Sequence, residues 1–395
     1  MIEKIDYIKK NNGITIVRCY GTGQVLELPE RIAGLPVTEL ADHCFAGEAS
    51  VRYTAEEMQT AYRSEGKEEE YGADGSDGLD GADGADGSNG TDGADLPVLS
   101  TINIEEIILP RTLKAIGDYA FYGCRKLRSL HIPWGFQRLG GGAFVACNQI
   151  RRLHFSMESA EKTPRCLKDF IPELPFELEV IMRAEAGNAD SKAGNGDSEA
   201  GNGDSKAGNG DSKAGSAASQ KGSAGLGAGE EIRLIYPEYY EDAKENTPAR
   251  IIEIVYHGTG YKYRQCFLNG RMDYHQYDRL FALAVAQEAP ETVLRLALSR
   301  LETPKELLLE AKERYLSWLR EEYQITAEFI LQGERMKLLR LLAEEHYYTE
   351  TILEYFLNLA SERKKAEEVS YLMEYRRQNF KKKKKTFDFD DFSEN

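Results

Sequence analysis

The sequence predicts an α+β multidomain chain: a short solenoid with a 23-residue period, a strand-rich connector, and a C-terminal α-helical repeat or bundle, with long inserts of disordered composition between them. Three observations carry this. Apolar positions recur every 23 residues between 104 and 155, the apolar spacing turns helical from about residue 276, and the runs 72–95 and 186–213 are almost free of apolar side chains.

The solenoid rests on three aligned segments. Ile104, Leu127 and Ile150 form one column, Ile107, Leu130 and Leu153 a second, and Leu109, Ile132 and Phe155 a third. Between them Pro110 matches Pro133, Ile116-Gly117 matches Leu139-Gly140, Ala120-Phe121 matches Ala143-Phe144, and Cys124 matches Cys147. Each coil would lay a short strand beside its neighbour's, turn at Pro and Gly, and send one ring inward from the return leg. A single coil cannot bury that face, so coils must stack. The Gly suits a turn that a Cβ would obstruct, and the Cys serves as a small buried hydrophobe.

This pattern, L-x-x-L-x-I/L-P followed by I/L-G and by A-F with Cys three residues later, resembles the BspA-type leucine-rich repeat family over residues 12–182 without the inserts. VLELPERIAGLPVTELADHCFAG fits a first repeat, with Leu26, Leu28, Pro29, Leu40 and Phe45 at matching positions; Cys44 stands where Ala is usual. The resemblance implies a leucine-rich repeat solenoid that binds other proteins. A second repeat is due near Val51, yet the next clean start is Ile104, so about 53 residues are inserted.

That insert contains GADGSDGLDGADGADGSNGTDGAD, Gly-opened triplets with seven Asp and no Lys or Arg. No Pro stiffens it as in collagen, and Leu79 alone does not supply the recurring apolar position of a calcium-binding β-roll. It reads as a spacer that cannot offset its ordering entropy by burial, with weak cation binding as the alternative. The second insert repeats AGNGDSK-like heptads without apolar a and d positions, which excludes a coiled coil. It separates LEVIM at 178–182 from IRLIY at 232–236 and so hangs from a hairpin or adjacent strands.

Residues 231–275 alternate apolar and polar positions and read as short strands. Helical spacing follows in Asp278 to Gln287, Pro290 to Leu301, Pro304 to Glu321, Thr326 to Gln332, Met336 to Glu345, Glu350 to Ser361 and Ala366 to Gln378. Thr303-Pro-Lys-Glu306 has the form of a capping box. The short joints force antiparallel neighbours, a pattern that resembles ankyrin-like repeats; a plain helical bundle is the alternative. The expected boundaries are 1–59 for the N-terminal strands and first repeat, 60–99 for the acidic insert, 100–183 for the remaining repeats and 184–230 for the second insert. The connector then takes 231–275, the helical region 276–380 and a disordered tail 381–395. In that tail, QNFKKKKKTFDFDDFSEN, Phe387, Phe389 and Phe392 are candidate anchors of a linear motif.

A net charge of -16 argues against general nucleic-acid or anionic-membrane binding. No run approaches the ~20 apolar residues of a membrane span, and MIEKIDYIKKNNG lacks the apolar core of a secretory signal, so a cytoplasmic location is expected. The six cysteines form no CxxC pair and read as free buried thiols; no metal and no cofactor is expected. YHGTGY around His257 is similar to the His-Gly-Thr element with which ADP-ribosyltransferases hold the nicotinamide ribose, which makes such an enzyme the alternative to a strand-ending turn. His43-Cys44 sits at a buried corner where a thiol is a poor nucleophile. The Gly-x-Gly pairs at 21–23 and 258–260 lack a P-loop Lys.

The strongest functional feature is a column. Positions between the inward apolar residues face outward, which sets His131 beside His154 and Ser129 beside Arg152. With Arg125, Arg128 and Arg151 these form the candidate interaction face. Residues 96–155 hold eight Lys/Arg against three Asp/Glu, a balance of +5, and protonation of both histidines near pH 6 would add to it. A basic face beside a tethered acidic stretch is a pattern of self-screening; plain solvated surface residues and a plain spacer are the alternative. No catalytic constellation emerges, and the chain reads as a non-enzymatic scaffold for unidentified protein partners.

Overall fold

The computed structural model describes residues 2–47, 57–63, 71–73, 103–157, 164–184, 231–246 and 251–380. The triplets 72–95, apart from residues 72–73, the heptad insert and the tail beyond 380 lie outside the described residues.

The principal sheet has the order 231–236, 178–184, 152–157, 129–132, 106–108, 25–27. Its strands run parallel, with Leu130 opposite Leu153 on one side and Ile107 on the other. Only the last, Glu231–Tyr236, is antiparallel, to Leu178–Ala184. Strand Val25–Glu27 lies directly against Glu106–Ile108. A second ladder sets Leu35–Leu40 against Ala115–Ile116, and that pair against Arg138–Leu139. The coil before the insert is therefore joined to the coil after it along both ladders, as the first-repeat assignment requires.

The inward columns close the core. Phe45, Phe121 and Phe144 stack with centroids 5.5 Å apart at each step and planes within 6°. Cys44, Cys124 and Cys147 lie buried beside them, and all six cysteines are free and buried. The glycine column has a reason more specific than turn geometry. A Cβ on Gly117 would lie 2.6 Å from the carbonyl carbon of Ala41, and one on Gly140 would overlap the backbone of Gly117 and Asp118. Each glycine is the place where one coil's main chain rests on the next.

Both ends of the stack are covered. At the first end, the hairpin of Ile2–Lys10 and Gly13–Gly21 pairs with Leu35–Leu40. Strand Gln59–Arg63 then pairs with residues 4–7 and turns onto Tyr71–Ala73. Ordered structure thus runs past the boundary expected at residue 60. Ala61 is buried, and the Thr60 hydroxyl donates to Asp6 Oδ1 at 2.9 Å, contacts that the composition of the insert as a whole concealed.

At the other end, strand Glu231–Tyr236 belongs to the repeat sheet rather than to a separate connector. Its free edge is held by the helical region: Ile235 N–H donates to the Tyr277 hydroxyl at 3.1 Å and Arg233 N–H to the Thr303 hydroxyl at 3.0 Å. A ribbon of Tyr240–Asn246 and Ile251–His257 follows, then the small hairpin Phe267–Leu268 and Arg271–Met272. Between them the Arg264 guanidinium is buried and donates to the carbonyls of Ile171, Leu174, Phe176, Pro237 and Gly260, binding the last coil to the connector. Burial lowers its pKa to about 10.

From Tyr274, eight helices follow among the described residues. Three expected starts are corrected. The first run begins at Tyr274 because Asp273 caps Gln276 N–H, and it divides at Leu280 into Tyr274–Arg279 and Phe281–Gln287. The capping box at Thr303 does not form, and the helix starts at Leu309 rather than Pro304. The Thr303 hydroxyl serves Arg233 and Ser299 instead, while buried Arg300 donates to Thr303 O and Lys305 O and keeps this stretch out of a first turn. Thr326 to Gln332 is longer than expected, as Tyr323–Gln332. Arg300 also makes a two-pronged ion pair to buried Asp278, at 2.7 and 3.0 Å, to which Tyr315 adds a hydroxyl bond of 2.7 Å. No helix among the described residues is long and apolar enough to cross a membrane.

Candidate interaction surface

Along the parallel strands, outward and inward positions alternate, so one row across the sheet reads Glu106, Ser129, Arg152, Glu179 and the next Ile108, His131, His154, Ile181. His131 and His154 are opposite one another as expected, with rings 4.2 Å apart and 3° from parallel. His131 Nε2 meets Glu106 Oε1 at 2.6 Å, and the Ser129 hydroxyl donates to the same oxygen at 3.4 Å. The bond from His131 holds the Glu106 carboxyl below the usual range.

The stack alters the expected pH response. Burial, followed by the neighbouring His131 and Arg152, pushes the His154 pKa down to about 4. His154 therefore stays neutral near pH 6, and the expectation that both histidines charge there is corrected.

The face is also less uniformly basic than the count over 96–155 implied, because the fold brings in carboxylates from outside that span. Arg152 lies opposite Glu179, while Glu231 bonds to Arg183 and Arg233, each at 2.7 Å. Arg128 lies 3.7 Å from Glu105. Arg151 donates to the carbonyls of Asn148 and Ile150 and rests its guanidinium 5.1 Å from the Phe176 ring centre. Arg125, Arg128, Arg151 and Arg152 are all exposed at the mouths of their strands. The outward positions Ile181 and Ile235 are buried, and helix Pro290–Glu302 packs on strand Glu231–Tyr236, with Glu302 3.8 Å from Arg233. The open face is centred on strands 106–108, 129–132 and 152–157.

The residues of the other candidate chemistries are engaged elsewhere. His257 ends its strand stacked on Tyr240 at 4.5 Å, Gly258 turns with φ 85°, and the Thr259 hydroxyl and N–H both reach Glu288 Oε1. The sheet there is a two-stranded ribbon. His43 stacks on Tyr119, and Cys44 is buried beside Cys19, whose thiol pKa is raised by its bond to Cys44 and by burial. Among the described residues no group of three or more His, Cys, Asp or Glu is placed to hold a metal ion.

A second surface was not legible in the sequence. A cleft of about 1430 Å³ lies between the coil corners and the hairpin Phe267–Leu268/Arg271–Met272, lined by Arg111, Lys114, Trp134, Arg165, Lys168 and Arg271 among others. Its residues come from five separate stretches of chain. The available signal was that Arg111 and Trp134 directly follow the matched Pro110 and Pro133, so the same corner of each coil bears a large polar or aromatic side chain.

No curated protein matches the chain. Among solved structures, a leucine-rich repeat protein of T. pallidum is similar at 22% identity, over 40% of this chain and 68% of that one, with a TM-score of 0.18. Residues 99–170 match the family described as BspA type Leucine rich repeat region (6 copies). Over that matched stretch, 99–170, the coils of 23 residues carry the Leu, Gly, Phe and Cys columns in register as BspA-type leucine-rich repeats.

Proposed function

We propose that the chain is a non-enzymatic scaffold that receives another protein on the outward face of the repeat sheet, with Arg125, Arg128, His131, Arg151, Arg152 and His154 as the contact residues. The observation that supports this most is the stacked His131–His154 pair flanked by exposed arginines. Parallel pairing holds the His131 and His154 rings 4.2 Å apart, so little side-chain entropy of this pair is lost when a partner docks. Arg and aromatic side chains held rigidly are the groups that carry protein interfaces. The helical region, expected over 276–380, is proposed as a second surface beside the repeats. The net charge of -16 favours protein partners over nucleic acid, with a cytoplasmic setting.

The test is photo-crosslinking in the native cell with a benzophenone residue at position 128 or 152, and at Tyr122 on a different corner as the reference. One protein captured from both face positions, absent from position 122 and lost from position 128 on Arg152→Glu supports the reading. Identical capture from all three positions refutes it.

A further inference from the structure

The cleft beside the coil corners combines charge and apolar surface. Among the described residues, five cationic side chains line it, Arg111, Lys114, Arg165, Lys168 and Arg271, against the carboxylates of Asp273 and Glu306. One of these acids is already used, since Asp273 accepts from Gln276 N–H as a helix cap. Lys114, Arg165 and Arg271 make no ion pair among the described residues, and Lys168 lies 4.0 Å from Asp169. Trp134 is 48% exposed and Leu268 63% exposed, large apolar groups left in water at the same rim.

Unpaired cations around a concave site attract a carboxylate-rich occupant, and the exposed indole and leucine call for one that also bears apolar side chains. The sequence of this chain contains such a segment. TFDFDDFSEN at 386–395 places Phe at 387, 389 and 392 among Asp388, Asp390, Asp391 and Glu394. Along 387–390 the two types alternate, so in an extended backbone the rings fall on one side and the carboxylates on the other. The charge matches the cleft cations and the rings match Trp134 and Leu268. The segment begins seven residues after the helix ending at Asn379, and the intervening residues 380–385 extended would span about 20 Å.

We propose that this cleft is the docking site of the chain's own acidic, phenylalanine-bearing segment 386–395. An external acidic peptide would have to compete with this segment for the cleft. This site is separate from the outward sheet face, so it stands or falls independently of the function proposed there.

The probe is a fluorescein-labelled synthetic peptide TFDFDDFSEN, followed by anisotropy at low salt and at 0.15 M salt. The proteins are the intact chain and a full-length variant with F387A, F389A and F392A, whose own segment no longer competes. The expected result is that the triple variant binds the probe about ten-fold more tightly than the intact chain. Adding K114E and R165E to that variant, or R271E alone from the hairpin side, weakens binding by about ten-fold, as does replacing all three Phe of the peptide with Ala. Melting curves confirm that each variant is folded; if the coil-side pair lowers the melt, R271E decides. Four results would each overturn the proposal: no binding to the triple variant, equal binding to the intact chain, insensitivity to R271E, or equal binding of the Ala peptide, which would mean adsorption by charge alone.

Discussion

Replacing Gly140 with Ala tests the stacking of the coils more directly than any change of a core side chain. The added methyl would overlap the backbone of Gly117 and Asp118, and the equivalent methyl on Gly117 would lie 2.6 Å from Ala41 C. Carbon atoms rest about 3.5 Å apart, so one coil must retreat from the next by about 0.9 Å. The bonds at that point are Gly140 N–H to Ile116 O at 2.8 Å and Gly117 N–H to Leu40 O at 2.9 Å. Stretched by that amount they exceed 3.5 Å and are lost. A lost bond costs about 1 kcal/mol and an overpacked contact about 1–3 kcal/mol, so each substitution should destabilise by about 2–4 kcal/mol. Gly141 supplies the control one residue away, because its Cβ would meet only Asp118 Oδ1 at 4.0 Å. Gly141→Ala should stay within about 0.5 kcal/mol, as an unstrained surface change does. Urea denaturation of the three variants, compared at equal slope, measures the difference. Equal midpoints for Gly140→Ala and Gly141→Ala would refute the close coil contact.

Phe121 is fully buried between Phe45 and Phe144, and Phe121→Ala should cost about 3–5 kcal/mol in the same assay. Arg264→Met removes the side-chain donor to five carbonyls and leaves those of Leu174, Phe176 and Pro237 without it, while Ile171 O and Gly260 O keep backbone partners; we expect early opening of residues 171–176 in hydrogen exchange, ahead of the strands 129–132 and 152–157. The pH dependence follows from His154, whose pKa falls from 6.5 unfolded to about 4 folded. The unfolded chain binds the proton first, so stability is full above 6.5 and declines as pH falls from 6.5 towards 4. The lowered Glu106 pKa acts in the same direction at lower pH. His154→Gln should flatten the loss between pH 6.5 and 4 in chemical denaturation, and an unchanged slope would contradict the assignment.

The sequence by itself determined the coils. A 23-residue spacing of Ile107, Leu130 and Leu153 leaves one arrangement that buries all three, and the outward register of His131 with His154 follows from strand alternation alone. Local periodicity also showed the later helices, because an amphipathic stripe is written within the element itself. Tertiary structure decided the rest. The helix after Thr303 starts late because Arg233, 70 residues earlier, takes the hydroxyl that a capping box would have used. The mixed charge of the face depends on Glu179 and Glu231, which reach the sheet only once strands 178–184 and 231–236 have paired, and the lowered pKa of His154 depends on its burial beside His131 and Arg152. The cleft brings Arg111, Trp134, Arg165 and Arg271 together across 160 residues of chain, from 111 to 271. Burial and charge at a point in space sum over all the segments that meet there, whereas a sequence pattern reports only on neighbours within a turn or a strand.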